Sequence, residues 1–139
     1  MILTDTGFWL ALANTKDKHH QASKAALAAA REPLVTTWPV LTETCHLLVA
    51  RVDPDAARKF MAHAQRGSFS VFDLGVSDFE RIAELMHKYR DLPMDLADAS
   101  LVICAESLNS GRIFSTDTRD FAAYRWKNRK PFQNLLKFE

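Results

Sequence analysis

The chain has 139 residues, 47% hydrophobic and 25% charged, and its 18 Lys and Arg nearly balance its 17 Asp and Glu. That length supports one domain, 1–139, with a core of its own, and the composition excludes a disordered or low-complexity chain. No apolar run approaches the roughly 20 residues of a membrane span, and no basic, signal-like segment precedes Ile2-Leu3, so a cytoplasmic protein without membrane contact is expected.

Ile2-Leu3-Thr4-Asp5 reads as a short buried strand, out of which Thr6-Gly7-Phe8-Trp9-Leu10 turns into a helix. Residues 19–31, rich in Ala, Lys and Gln, have strong helix propensity, and Glu32-Pro33 stops them. Leu34-Val35-Thr36-Thr37 is a second strand, and Pro39 suits the start of a helix running through Thr42-Glu43 to about Val49. Asp53 caps a helix over about 54–65, and Ser68-Phe69-Ser70-Val71-Phe72 alternates as a third strand. Ser77 or Asp78 then starts a helix to about Tyr89. Beyond Pro93 lies a long apolar helix from Leu96 to Leu108, ended by Asn109-Ser110-Gly111. Arg112-Ile113-Phe114-Ser115 is a fourth strand, and Asn134-Leu135-Leu136-Lys137 a candidate fifth. Strands alternating with helices imply an α/β fold with a central, mainly parallel sheet of four to five strands and helices on both faces. Cys45 and Cys104 sit in helical apolar patterns without zinc spacing, and read as reduced core thiols.

Asp5, Glu43, Asp98 and Asp117 each close an apolar run or lie within about a turn of a helix start. In a parallel sheet, ligands bind beyond the carboxyl ends of the strands, where Asp5 and Asp117 fall. Gathered carboxylates repel, and the simplest countercharge is a hard divalent cation bound through oxygen. The first expectation is thus a metal-dependent phosphodiesterase. Asp95 lies three residues before Asp98 on one helix turn, as a cap or a further acid. The helix from Leu96 is apolar nearly all round, so a carboxylate at Asp98 requires a cation or several N–H donors. Glu43 is either a ligand or a surface acid. Ser115 supplies a hydroxyl near Asp117, and Thr6 another beside Asp5; Asp120 suits a cap, a supporting acid or a ligand. With Asp5, Glu43, Asp95, Asp98 and Asp117 in one pocket, 18 cations face 12 remaining acids, a balance suited to a polyanion.

Asp5 closing the first strand, Thr42-Glu43, Asp98-Ala99 and Ser115-Thr116-Asp117 followed by Asp120-Phe121 resemble the pattern of PIN-domain nucleases. The stretch Leu92-Pro93-Met94-Asp95-Leu96-Ala97-Asp98-Ala99-Ser100-Leu101, with Arg112-Ile113-Phe114 after it, is similar to the VapC-type toxins of bacterial toxin–antitoxin pairs. The resemblance spans essentially the whole chain and implies a three-layer α/β/α sandwich. It implies Mg²⁺ or Mn²⁺ as cofactor, endonucleolytic hydrolysis of structured RNA through metal-activated water, a homodimer, and a small cognate antitoxin. Asp5, Glu43, Asp98 and Asp117 match the catalytic acids, with Asp5, Asp98 and Asp117 as metal ligands and Glu43 a ligand or a water-orienting base. Asp95 and Asp120 match auxiliary acids, and Ser115 stands where the family often has Thr.

Tyr124-Arg125-Trp126-Lys127-Asn128-Arg129-Lys130 packs cations and aromatics together, so Arg125, Trp126, Lys127 and Arg129 are RNA-binding candidates; a solvated basic loop is the alternative. Phe8, Trp9, Leu10 and Leu12 with Leu47 and Leu48 fit either the core or a groove for an antitoxin helix. His19, His20, His46, His63 and His87 form no metal-spacing motif. Asp73 and Lys130-Pro131 mimic a phospho-acceptor module, but Asp5 lacks the second acid such modules need after their first strand. An RNA-maturation nuclease of the same family, or a non-catalytic RNA- or partner-binding module, are the remaining alternatives.

Overall fold

A computed structural model describes residues 1–138. β1 (Ile2–Thr4) is followed by α1 (Thr6–Ala13) and α2 (His20–Ala29), and β2 (Leu34–Thr37) by α3 (Trp38–Arg51) and α4 (Ala56–Gln65). β3 (Ser70–Phe72) leads through a 3₁₀ turn (Val76–Asp78) to α5 (Phe79–Lys88) and α6 (Leu96–Leu108). β4 (Arg112–Phe114) precedes α7 (Thr118–Ala123), a hairpin of β5 (Arg125–Trp126) and β6 (Lys130–Pro131), and β7 (Gln133–Asn134). The central sheet has the order β3-β2-β1-β4-β7 with every neighbouring pair parallel. A five-stranded parallel sheet flanked by helices is the α/β architecture expected from the alternating pattern.

The strand order runs outward from β1 to β3, then returns past β1 to β4 and β7. Right-handed crossovers put the helices of these two halves on opposite faces of the sheet. The inner strands are therefore covered twice, which explains why Ile2-Leu3-Thr4 and Leu34-Val35-Thr36-Thr37 are buried at every position rather than alternating. Their buried hydroxyls are satisfied locally: Thr4 Oγ1 donates to the Val35 carbonyl and accepts from Trp9 Nε1, and Thr36 Oγ1 donates to the Thr4 carbonyl. Phe8, Trp9, Leu10 and Leu48 lie in the core, and Leu12 and Leu47 pack against it, so this set is core rather than groove. Cys104 is buried in α6, Cys45 half-buried in α3, and both are free thiols.

The structure moves several boundaries. Asp53 does not cap a helix at Pro54; its carboxylate accepts from Asp55 N (2.8 Å), and α4 starts only at Ala56. The helix expected from Ser77 or Asp78 is preceded by the 3₁₀ turn, where Asp78 accepts from Gly75 N. α7 has no counterpart among the expected elements, because six residues carry too little periodicity to read. The basic segment forms an antiparallel hairpin rather than a loop, with Lys127 and Asn128 of its three-residue connection in the left-handed region (φ 52° and 63°).

Gly111, between α6 and β4, allows this hairpin to close on the sheet: a Cβ there would lie 2.3 Å from Trp126 Nε1, the atom that donates to the Pro131 carbonyl. Gly111→Ala is expected to cost about 1–3 kcal/mol through overpacking. Urea unfolding checks this, and an unchanged midpoint would contradict it.

Candidate active site

The strand register assembles the site. Leu3 pairs with Val35 and with Ile113, so two residues further along, Asp5 stands level with Thr37 on one side and Ser115 on the other. β1 and β4 are also the neighbours whose connections leave in opposite directions, the position at which open parallel sheets leave a crevice. Four helices begin at this edge, each capped by a residue of the crevice. Asp5 accepts from Phe8 N at the head of α1 (2.9 Å), Thr37 from Val40 N on α3 (3.4 Å), Asp95 from Asp98 N on α6 (2.8 Å) and Asp117 from Asp120 N on α7 (3.0 Å).

Asp5 is buried, and its second oxygen accepts the Ser115 hydroxyl at 2.5 Å. Burial pushes its pKa up to about 6 despite these donors, and the charge of Asp117 adds to the rise. Asp98 is pushed further, to about 7, by burial and then by the charges of Asp95 and Asp117, while the Tyr124 hydroxyl donating at 3.1 Å pulls it back. Asp117 is likewise held above the usual carboxylate range, first by burial and further by Asp120. Asp5, Asp98 and Asp117 thus share one electrostatic neighbourhood. Gly7 lets it close, since a Cβ at that position would fall 1.8 Å from Thr116 Oγ1. Asp120 is buried, ion-paired with Arg119 (3.0 Å), and does not cap α7; Asp117 does.

Glu43 is half-buried one turn into α3 and lines a groove with Trp38, Pro39, His46, Asp95 and Leu96. Thr37 Oγ1 and Ser100 Oγ, 2.6 Å apart, fasten the α3 wall to α6. The Thr6 hydroxyl is buried and has no hydrogen-bond partner among the described residues. Three supporting residues escaped the sequence reading. Tyr124, wholly buried, steadies Asp98. Asn134 brackets Ser115 by accepting from its N–H and donating to its carbonyl, and its place in an otherwise apolar run was the available signal. Ser100 had no signal beyond its chemistry.

The basic segment divides. Trp126 is buried, which removes it as a base-stacking surface, and Arg125 Nη1 donates to the carbonyls of Ala122, Ala123 and Tyr124 at the end of α7. Lys127 is tied through its backbone to Glu106 and through Nζ to Asn109, whereas Arg129 is exposed with no side-chain partner among the described residues. His20 bonds the Ala11 carbonyl, and Asp73 accepts the Trp38 indole N–H, neither in a catalytic arrangement.

The donor set fits a hard divalent cation. Every candidate atom is oxygen, the carboxylates are raised first by burial and further by neighbouring acids, and Thr6, next to Asp5 in the chain, has a hydroxyl without a partner among the described residues. Among the described residues no three acidic, His or Cys side chains form a closed cage. Mg²⁺ tolerates that, because it keeps several waters and takes few carboxylates.

The fold is that of an α/β protein with an acid-lined crevice at the carboxyl edge of its parallel sheet. The PIN domain family model matches residues 2–127, and the chain belongs to that family. It is 27% identical over 124 residues to ribonuclease VapC26 of Mycobacterium tuberculosis (strain ATCC 25618 / H37Rv), an alignment covering 89% of this chain and 92% of that protein. Its fold matches the crystal structure of Mycobacterium tuberculosis VapC20, a sarcin–ricin loop cleaving toxin, with TM-score 0.81 at 24% identity over 88% of this chain and 95% of that one.

Raised carboxylate pKa values make the metal-free protein hold protons that an unfolded chain releases near pH 4. Its stability therefore falls as pH rises from about 4 toward 7. In EDTA at pH 8, Asp5→Asn is expected to be more stable than the parent by on the order of 2 kcal/mol, an advantage that vanishes below pH 4. Urea unfolding at the two pH values measures this; a variant less stable at pH 8 would refute it.

Proposed function

We propose that the chain is a Mg²⁺- or Mn²⁺-dependent endoribonuclease, the toxin of a type II toxin–antitoxin pair, which hydrolyses a phosphodiester of structured RNA. The observation that carries this reading is the gathering of Asp5, Asp98 and Asp117 at the carboxyl edge of the sheet, held by Ser115 and Tyr124, where each carboxyl lies above its ordinary pKa. Membership of the PIN family and similarity to VapC26 along nearly the whole of both chains support it.

Asp5, Asp98 and Asp117 hold the cation through oxygen, and Asp95 and Asp120 add negative charge around it. A cation held there would neutralise the carboxylates and supply Lewis-acid activation of the phosphoryl group and of water. Ser115 fixes the second oxygen of Asp5, and Tyr124 fixes one oxygen of Asp98, so both ligands face the crevice in set orientations. Glu43 orients the water or completes the ion's shell. Phosphate contacts fall to Arg119 and Arg129, whose side chains are exposed, rather than to Arg125 or Trp126. Val76 and Phe79, 81% and 67% exposed, supply apolar surface for a homodimer or the antitoxin. No helix among the described residues is long and apolar enough to cross a membrane, and the reading places the toxin and its antitoxin in the cytoplasm.

Asp5→Asn is expected to lower Mg²⁺-dependent RNA cleavage by at least about 100-fold, taking the loss of an essential metal-orienting group as a few kcal/mol of barrier. EDTA should abolish the parent's activity, and Mg²⁺ or Mn²⁺ should restore it. Expression should arrest growth unless the small cognate antitoxin is co-expressed. Cleavage indifferent to EDTA, or full activity in Asp5→Asn with an intact circular dichroism spectrum, would overturn the mechanism.

A further inference from the structure

Trp38 is placed as no fold requirement explains. It is the first residue of α3 and 55% exposed, while the other two tryptophans, Trp9 and Trp126, are buried. A half-exposed indole forfeits much of the burial that makes Trp valuable to a core. Yet it is not loose. Thr37 pairs with Phe72, so Trp38 and Asp73 are the next residues along β2 and β3, and Trp38 Nε1 donates to Asp73 Oδ1 at 3.1 Å. One edge of the ring is pinned while more than half of the residue stays open.

The opening belongs to the groove that Trp38 shares with Pro39, Glu43, His46, Asp95 and Leu96. That groove adjoins the metal-binding crevice, because Asp95 raises the pKa of Asp98 and Thr37, the residue before Trp38, is level with Asp5. Its apolar parts, Trp38 and the 46% exposed Leu96, suit a flat neutral surface. Glu43 and Asp95 form no ion pair among the described residues, so they disfavour phosphate and offer acceptors to amino groups. An unpaired nucleobase has both features, a π face and an edge bearing N–H donors. A second protein copy fits less well, since docking there would bury carboxylates without partners.

We propose that Trp38 is a stacking platform that receives an unpaired nucleobase beside the scissile phosphate, with Glu43 and Asp95 lining the base's edge. The proposal rests on the RNA-cleaving reading and adds how the substrate is held: one nucleotide must leave its helix or loop stack to occupy the groove. Single-stranded or looped RNA is then preferred to uninterrupted duplex.

The test measures fluorescence anisotropy of a labelled single-stranded RNA oligonucleotide and of its duplex, with Mg²⁺, in a cleavage-deficient Asp5→Asn background. Trp38→Ala is expected to weaken single-strand binding about tenfold and Trp38→Phe less, with duplex binding little changed. RNA should quench the exposed tryptophan's fluorescence, and that quenching should disappear in Trp38→Phe, because the remaining indoles are buried. Thermal midpoints of the variants, expected to match the background protein's, exclude unfolding. Equal single-strand affinity in Trp38→Ala would overturn the platform while leaving the nuclease reading intact. A switch from dimer to monomer in Trp38→Ala on sedimentation would assign the indole to a subunit interface and also overturn it. A parent that neither binds nor cuts RNA would remove both readings.

Discussion

The burial of Asp5, Asp98 and Asp117, with repulsion from neighbouring acids added to it, is the constraint around which the carboxyl edge of the sheet is built. Each carries a pKa above the ordinary carboxylate range, and burial is the first cause in every case. Much of the local architecture opposes that cost. α1, α3, α6 and α7 all begin here, so their partly positive amino ends point into the crevice. Asp5, Asp95 and Asp117 take backbone N–H donors as helix caps, which lowers the penalty without removing it. What remains after caps and dipoles is a carboxylate group still raised above its ordinary range, the charge that the proposed cation would offset.

Hydroxyl and amide groups give the crevice its rigidity. Ser115 stands between Asp5 and the loop to Asp117, donating to the former and accepting the N–H of the latter. Asn134, arriving on β7, holds Ser115 from both sides of its backbone. Tyr124 reaches Asp98 from the far end of α7, so the shortest helix supplies both a capping acid and the group that steadies another. Thr37 and Ser100 join α3 to α6. These contacts cross four elements, so the geometry of the acids is set by the packing of the whole edge rather than by any one loop.

Cations are spent unevenly. Arg112 and Arg81 form partly buried ion pairs with Glu32 and Glu106, and Arg125 and Lys127 serve the ends of α7 and α6. Each such pair removes an acid along with its cation, so the cation surplus is unchanged, and exposed cations such as Lys24, Lys59, Arg90 and Arg129 form no ion pair among the described residues. The exposed, pinned Trp38 adds a non-ionic surface to these charges.

The order of elements and most of the acids were legible in the chain itself. Strands at 34–37 and the helix at 96–108 carry periodicity and punctuation long enough to be read, and Asp5, Asp98 and Asp117 announced themselves by lying at apolar element ends. Local patterning decides these, because burial of an apolar face and capping of a helix are properties of neighbouring residues. The strand register decided which residues stand beside Asp5: it brings Ser115 and the loop to Asp117 against it. The hairpin that buries Trp126, the reach of Tyr124 to Asp98 and the pinning of Trp38 by Asp73 are equally tertiary. Each joins residues from different elements, and no local periodicity records a contact that arises only when strands settle side by side.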